Sequence, residues 1–387
     1  MKQFFFSTFL LVCLSCDGYK QTSINDNRIT VDLDNPQKSS LFDYFKHIEL
    51  IPLETSDDVL IGNLAKINYH QGRYYAFDRK QFVVYIFDNE GEFISEINKL
   101  GRGPGEYINL DDMIINPFTS NLDLLSPFGS IYSYSLSGTH MKTVRVIGDD
   151  ANAELPTIHS FFALNENMYV FYSSMTLLKI TYFDVEEMKI THQAYDETNN
   201  RLHESYNYRF LSFWGNYVFY EYDGKCFFYR NIDNEVFMLG PDSLIKAYTW
   251  DFGKYNYDAK TMFFPEEIWN DYDRMNEEGK RFPYLMDFQG QNDRYVMAKI
   301  RTKNYEDAYL IFDKTTQKCN FLRSFTESVR FWPRVITNDY VLSYCNHNEL
   351  EKFINKEILD EINRQKFDAL LNEEEEMNPI IIKYYFK

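Results

Sequence analysis

The chain has few of the features that mark several common functional classes. Its 387 residues contain five cysteines; apart from Cys13 and Cys16 in the N-terminal apolar segment, the three that remain are an odd number without Cys-x-x-Cys spacing, which argues against a disulfide framework or a zinc knuckle. Lysine and arginine total 40 against 58 aspartate and glutamate residues, which gives a net charge of −18, and the sequence contains no cluster of basic residues. Because such a chain repels a phosphate backbone, nucleic acid is not expected as a partner.

Recognisable catalytic patterns are also missing from the sequence. It has no Gly-x-Ser-x-Gly nucleophile elbow, no Gly-Lys-Ser/Thr phosphate loop and no EF-hand calcium loop. The sequence therefore indicates no catalytic residue and no cofactor, and whether the protein is an enzyme stays open with a non-enzymatic role favoured.

The one long apolar run lies at the N-terminus. It extends from Phe4 to Leu14 and ends just before Ser15 and Cys16. The run is too short to cross a bilayer as a helix, but an apolar stretch followed by a small residue and a cysteine is typical of a bacterial lipoprotein signal. We predict a signal peptide over residues 1–15, lipidation of Cys16 and a polar tether over residues 16–27. An ordinary secretory signal with an incidental Cys16 is the alternative.

Aromatic residues are abundant and follow a strand-like pattern. The chain has 34 phenylalanines, 31 tyrosines and 4 tryptophans, which favours strands that pack through aromatic side chains. Residues Arg73–Asp78, Phe82–Asp88 and Glu92–Ile97 form three such runs separated by turn signals. Similar groups of runs recur along the chain.

The recurrence has the period of a propeller blade. Successive anchors are separated by 47, 47, 49, 78 and 45 residues, and the anchors are Tyr75, Leu122, Tyr169, Val218, Val296 and Val341. Four of these steps match a four-stranded blade of roughly 40 to 50 residues. We predict an all-β, six-bladed β-propeller over residues 28–387. A seven-bladed ring or a pair of β-sandwiches is the competing interpretation.

Two helical patterns interrupt the strands. Apolar residues at helical spacing predict a helical insertion near residues 265–279, which accounts for the long step of 78 residues. A second pattern predicts one amphipathic helix from Glu349 to about Leu371, with the acidic run 373–376 as its solvated end. The strand from Ile380 to Phe386 then closes the ring against the first or last blade.

Several motifs carry a family resemblance. They are the sequence from Leu100 to Tyr107 (LGRGPGEY), the run from Ile48 to Glu54, the hairpin around Tyr75, the segment from Trp250 to Gly253, and Asn378-Pro379 before the last strand. With the N-terminal signal, the chain resembles the six-bladed β-propeller lipoproteins of Bacteroidetes, which are distantly similar to NHL-repeat propellers. The resemblance implies a propeller fold and a lipid-anchored location in the cell envelope, here expected at the outer membrane. It transfers no common activity.

The glycine-rich loop offers the best single candidate site. Gly101, Gly103 and Gly105 do not have the spacing of a phosphate-binding loop, so we interpret them as giving the tight, left-handed backbone of an inter-blade crossing. Arg102 and Glu106 on this loop are predicted to face the ring axis and bind a ligand.

The seven histidines give only an alternative metal site. His70, His159 and His203 come from successive blade regions and converge on a metal if the chain is an NHL-like lyase or hydrolase; chance scatter explains them equally well. The favoured expectation is a binding or scaffold protein, accessory to nutrient uptake or sensing, whose partner is a carbohydrate, a peptide or another envelope protein. Aromatic side chains stack on sugars, although packing between blades uses them as well.

Overall fold

The protein is a six-bladed propeller. The computed structural model describes residues 27–146, 157–173, 178–196, 218–258, 267, 271–373 and 375–387. Within these residues the strands form six antiparallel sheets, each with four strands apart from one that carries a fifth. The predicted fold class is therefore confirmed. The predicted signal peptide and nearly all of the tether, including Cys16, lie outside the described residues.

Each blade consists of consecutive strands, except the last. Blade 1 contains β3 (Leu64–His70), β4 (Arg73–Asp78), β5 (Val83–Phe87) and β6 (Phe93–Ile97). Blade 2 contains β7 (Asp112–Ile115), β8 (Leu122–Ser126), β9 (Ser130–Tyr134) and β10 (His140–Arg145). Blade 3 contains β11 (Ser160–Ala163), β12 (Met168–Tyr172), β13 (Leu178–Asp184) and β14 (Lys189–Asp196).

The remaining blades complete the ring. Blade 4 contains β15 (Phe219–Tyr222), β16 (Lys225–Tyr229), β17 (Glu235–Leu239) and β18 (Leu244–Asp251), and blade 5 contains β19 (Tyr284–Gln291), β20 (Tyr295–Thr302), β21 (Glu306–Asp313) and β22 (Lys318–Leu322). Blade 6 contains β23 (Val335–Ile336), β24 (Tyr340–Cys345), β25 (Ile380–Phe386) and, as its outer strand, β2 (Phe45–Pro52). From blade 1 to blade 6, the first strand of each blade contacts the first strand of the next, so the first strands are the inner strands around the axis.

The core lies between neighbouring blades because both faces of each sheet are buried. All five residues of β5 are buried, although a strand exposed on one face would alternate. Tyr75 and Phe77 of blade 1 pack with Leu124 and Tyr134 of blade 2 in one apolar cluster. The aromatic residues noted in the sequence thus fill the spaces between blades.

The N-terminal segment closes the ring. β25 pairs with β24 on one side and with β2 on the other, which confirms that the last strand completes the last blade. Before β2, the strand β1 (Arg28–Thr30) adds in parallel to β18 at the outer edge of blade 4. Gln37 then bonds to Phe321 of blade 5 through the backbone at 2.8 Å and through its side chain at 2.7 Å. The segment therefore follows the outside of blades 4, 5 and 6.

One of the six sequence anchors marks a different strand from the others. Five anchors lie in the second strand of their blade, whereas Val218 comes just before β15, the inner strand of blade 4. The second strand of that blade is β16, which begins at Lys225, so the anchor Val218 lies several residues before the strand that it was expected to mark. The blade count is unaffected.

The helices differ in detail from the prediction. In the insertion, the structure has helix α1 (Tyr272–Gly279), and residues 259–266 and 268–270 lie outside the described part. Near the C-terminus the structure has α2 (Leu350–Phe353) and α3 (Glu361–Leu371) with short 3-10 turns around them. The predicted C-terminal helix before the last strand is therefore confirmed, but its predicted extent as one helix from Glu349 to about Leu371 is wrong. The described helices include none that is long and apolar enough to cross a membrane.

Local side-chain hydrogen bonds explain why the C-terminal helix is broken. The Asn355 side chain accepts a hydrogen bond from the backbone amide of Glu357 at 3.0 Å, and the Asp360 side chain accepts one from Asn363 at 2.9 Å. Such bonds start a new helical turn and compete with continuation of the preceding one. The apolar spacing therefore persists across the break although the backbone does not continue as one helix.

Candidate functional site

The two faces of the ring differ in what they carry. Because all inner strands run in the same direction, the connections between blades and the turns between second and third strands lie on one side, which we call the connection face. The other turns lie on the opposite side, which we call the hairpin face. A group of charged residues from three blades lies on the connection face, where the inner strands of blades 1 to 3 begin.

Arg79, Asp111 and His159 form a hydrogen-bonded group on the connection face. His159 Nδ1 lies 2.9 Å from Asp111 Oδ2, and an Arg79 guanidinium nitrogen lies 3.3 Å from Asp111 Oδ1. The same arginine donates to the Asp111 carbonyl oxygen at 2.6 Å. Asp111 and His159 directly precede the inner strands β7 and β11, and Arg79 directly follows β4. Three different blades thus contribute to one group.

The buried Asp78 positions Arg79. Its carboxylate accepts hydrogen bonds from the backbone amides of Gly62 at 2.6 Å, Lys80 at 2.8 Å and Gln81 at 3.2 Å. These bonds fix the turn after β4 against the connection that enters β3. His159 is held by its backbone amide, which extends the pairing of β11 with β12 by donating to the Tyr172 carbonyl oxygen at 3.0 Å.

Asp112 joins the inner strands directly below this group. Its fully buried carboxylate accepts a hydrogen bond from Lys66 Nζ of blade 1 at 2.7 Å. It also accepts bonds from Ser160 Oγ at 3.1 Å and the Phe161 amide at 3.2 Å, both in blade 3. Burial raises the pKa of Asp112, and the Lys66 ammonium opposes that rise. We call Lys66, Arg79, Asp111, Asp112 and His159 the axial cluster.

Glu221 provides an exposed carboxylate on the inner strand β15 of blade 4. Desolvation by the surrounding protein raises the pKa of this carboxyl. Burial also raises the pKa of the thiol of Cys226, which pairs with Glu221 from the neighbouring strand β16; the Glu221 carboxylate adds to that rise and the Lys66 ammonium opposes it.

The arrangement presents both hydrogen-bond donors and acceptors. When the imidazole is neutral and donates from Nδ1 to Asp111, Nε2 is an acceptor. Arg79 and Lys66 supply positive charge, and Glu221 supplies a carboxylate. Two potential nucleophiles are not activated. The Ser160 hydroxyl donates its hydrogen bond to Asp112, and burial raises the pKa of the Cys226 thiol, which disfavours the thiolate. The chemistry of the site is therefore suited to holding a polar ligand.

The glycine-rich loop lies away from the axis. A groove of about 650 Å³ beside it is lined by Arg102 and Glu106 and also by Tyr132 and Thr143, which lie on the outer strands β9 and β10. The Gly105 carbonyl oxygen accepts a hydrogen bond from Tyr134 Oη at 2.5 Å. The predicted orientation of Arg102 and Glu106 towards the axis is therefore wrong, because the loop packs on the outer half of blade 2.

The glycines of this loop serve two purposes. Gly105 has a φ of 75°, the left-handed backbone expected from the sequence. Gly101 and Gly103 instead leave room for Glu106, since a Cβ at Gly101 would come within 2.0 Å of its carboxylate. That carboxylate accepts a hydrogen bond from the Gly103 amide at 2.7 Å, so Glu106 stabilises the loop.

Two of the three histidines of the alternative metal site, His70 and His159, lie at opposite faces of the ring. His159 precedes its inner strand on the connection face, whereas His70 ends β3 at the hairpin face. His70 lies four residues beyond Lys66, a distance of about 13 Å along a strand that rises about 3.3 Å per residue. His203 lies outside the described residues, within which no group of three potential metal ligands occurs. The proposed convergence of His70 with His159 is wrong.

The family assignment follows from the whole propeller rather than from this site. Residues 26–385 match the family described as Domain of unknown function (DUF4934). The chain belongs to the DUF4934 family. A comparison with curated proteins gives no match.

Solved structures share the fold of this DUF4934 member. A Bacteroides fragilis protein whose name describes it as exported has a TM-score of 0.66 and 14% sequence identity, and the match covers 93% of this chain and 99% of that one. A DUF4221 family member from Bacteroides vulgatus has a TM-score of 0.53 and 8% identity, with 88% and 96% coverage. At these identities the likeness shows the fold alone.

Proposed function

We propose that this DUF4934 protein is an exported cell-envelope protein that binds a polar ligand at the axial cluster. The observation that carries the proposal is the Arg79–Asp111–His159 group. It brings a cation, a carboxylate and an oriented imidazole from three blades together on the connection face. Binding sites are commonly formed by a few convergent polar groups in a concave surface, and propellers offer such a surface at their axis. Carbohydrates, peptides and envelope proteins are the partner classes to test.

Replacing His159 by alanine tests this site. We expect a ligand from a panel of neutral oligosaccharides and short peptides to raise the melting temperature of the mature protein, because binding to the folded state stabilises it. In the His159→Ala variant that shift is expected to disappear, since the imidazole and its orientation by Asp111 are lost. Differential scanning fluorimetry across the panel provides the measurement.

His47 supplies a matched control for this experiment. It forms a similar pair with Asp360 at 3.1 Å, but it lies on the outer strand β2 and away from the axis. The His47→Ala variant should keep the full ligand-induced shift. An equal loss in both variants would contradict binding at the axial cluster, and the absence of a shift with every ligand would indicate a protein partner.

We also propose that a lipid on Cys16 holds the protein at the outer membrane. The apolar run and small residue before Cys16 support this, and so does the exported Bacteroides fragilis protein of the same fold. The Cys16→Ser variant should move to the soluble fraction and lose fatty-acid labelling, since the acyl chains supply the membrane affinity. Fractionation and labelling of cells measure both effects. A variant that stays in the membrane fraction would exclude the lipid anchor.

A further inference from the structure

Lys383 on β25 has an unusual environment at the hairpin face. Its side chain is only 3% exposed, and its ammonium lies over three aromatic rings. The distances from Nζ to the ring centroids are 4.2 Å for Tyr69, 4.8 Å for Tyr340 and 5.0 Å for Tyr74. Cation–π contacts of this kind favour a charged ammonium, but they provide no hydrogen-bond acceptor.

Among the residues that the structure describes, the Lys383 ammonium has no hydrogen-bond or ion-pair partner, and its nitrogen is accessible from the groove described below. Another buried lysine, Lys299, has carboxylate partners as well as an aromatic contact. Its Nζ lies 4.8 Å from the ring centroid of Trp332, 2.5 Å from Asp287 Oδ2 and 2.8 Å from Asp307 Oδ1. A buried charge normally requires such a partner. The nearest carboxylate of β2, Glu49, accepts a bond from Tyr385 Oη at 2.6 Å instead.

The Lys383 side chain lines a groove of about 420 Å³ between blades 6 and 1. In the other blades a turn joins the third and fourth strands, but in blade 6 these strands come from opposite ends of the chain. The Lys387 amide therefore meets the Tyr44 carbonyl oxygen at 3.2 Å, without a hairpin across the gap. The groove opens beside this junction. Lys46 and Lys387 contribute two more ammonium groups to its wall and Asp339 contributes one carboxylate, so the lining side chains carry an excess of positive charge.

The other wall residues suit a sugar. Asn89 and Asn338 provide side-chain Nδ2 groups that can donate hydrogen bonds to hydroxyl groups, while their Oδ1 atoms already accept bonds from Tyr69 Oη at 2.7 Å and from the Asp293 amide at 3.0 Å. Tyr340 and Tyr385 provide partly buried aromatic rings. The volume is at the lower end of the range of about 300–1,000 Å³ for small-molecule sites, which corresponds to one or two sugar rings. Glu49 and Glu90 act electrostatically on Lys383 and favour its charged form, against the desolvation that lowers its pKa.

We propose that this groove binds an acidic sugar of one or two rings, with its single carboxylate on the Lys383 ammonium. The carboxylate supplies the acceptor that the aromatic cage does not, and the amides of Asn89 and Asn338 bond to ring hydroxyls. This site is separate from the axial cluster, because it lies on the opposite face and at the junction of the two ends of the chain. Failure of this proposal would therefore leave the proposed function at the axial cluster unaffected, and the reverse also holds.

Isothermal titration of the mature protein with glucuronate, and with glucose as the neutral analogue, tests the proposal. Glucuronate is expected to bind at least tenfold more tightly than glucose. Lys383→Met keeps the length and the apolar contacts of the side chain but removes the charge, and it should weaken glucuronate binding by at least tenfold. Asn89→Ala, in an exposed turn, should weaken binding severalfold and gives a readout that does not depend on a buried substitution.

The control is Lys314→Met. Lys314 also lies on a tyrosine ring, 4.1 Å from the centroid of Tyr222, but in blade 5 and away from the groove. This variant and His159→Ala should bind glucuronate as the unchanged protein does. Equal binding of glucuronate and glucose, no binding of glucuronate at all, or undiminished binding by both Lys383→Met and Asn89→Ala would overturn the proposal.

Discussion

Removal of residues 378–387 is expected to abolish cooperative unfolding of the propeller. The deletion takes away β25, which lies between β24 and β2 and contains four fully buried side chains: Ile380, Ile381, Ile382 and Tyr384. At about 1.5–3 kcal/mol for each large apolar side chain, the loss is about 6–12 kcal/mol, comparable to the whole stability of a typical domain. Calorimetry and near-ultraviolet circular dichroism of the shortened protein measure the outcome.

Two comparisons make this result specific. Ile382→Ala leaves the strand in place and should lower the unfolding free energy by about 2–5 kcal/mol through the cavity alone. Deletion of residues 27–31 removes β1, which pairs on one side only, and should leave a cooperative transition at a lower temperature. If the protein without residues 378–387 melts at the unchanged temperature, β25 does not close the ring.

Replacing Asp112 by alanine should destabilise the protein by about 3–5 kcal/mol. The substitution leaves the Phe161 amide without its acceptor and takes the carboxylate away from Lys66, and breaking a buried ion pair on one side has costs of this size. Because the carboxylate connects blades 1, 2 and 3, the effect is expected on the whole ring. Urea denaturation followed by tyrosine and tryptophan fluorescence gives the change in unfolding free energy.

An exposed ion pair provides the control for Asp112. On the outer strands of blade 4, Glu235 Oε1 lies 2.5 Å from Lys246 Nζ, and both side chains are about half exposed. Glu235→Ala should cost less than about 1 kcal/mol, because solvent screens such pairs. A cost for Asp112→Ala no larger than this would mean that the contact between the three blades contributes little to stability.

The blade count could be predicted from the sequence because every blade repeats the same short-range pattern. Aromatic and β-branched runs such as Arg73–Asp78, separated by turns, mark strands locally, and their spacing of 45 to 49 residues gives the repeat. The anchor Val218 failed for the same reason, since the inner and second strands of blade 4 are both aromatic and resemble each other. Side-chain caps such as Asp360 interrupt a helix without changing its apolar spacing, so the break before α3 also escaped prediction.

The candidate sites could not be predicted because their residues are distant in sequence. His159 is a candidate site residue in the sequence, but its partner Asp111 comes from another blade, and only the folded ring brings the two together. Two sequence features do indicate the axial cluster. Two adjacent acidic residues, Asp111 and Asp112, stand at the start of an apolar strand, and Lys66 lies within the apolar run of β3. Lys383 gave a similar signal, as a lysine between isoleucines and tyrosines in a strand buried on both faces.

The origin of β2 at the N-terminal end of the chain has a consequence for the order of folding. Its Phe45 pairs with Phe386, so the contact that completes blade 6 closes a loop containing nearly the whole propeller. Contacts of such long sequence separation carry a high loop-closure entropy and form slowly. During synthesis β2 must therefore wait for its partner in blade 6 until the last strand has followed it, and its exposed edge is available to other chains throughout that interval.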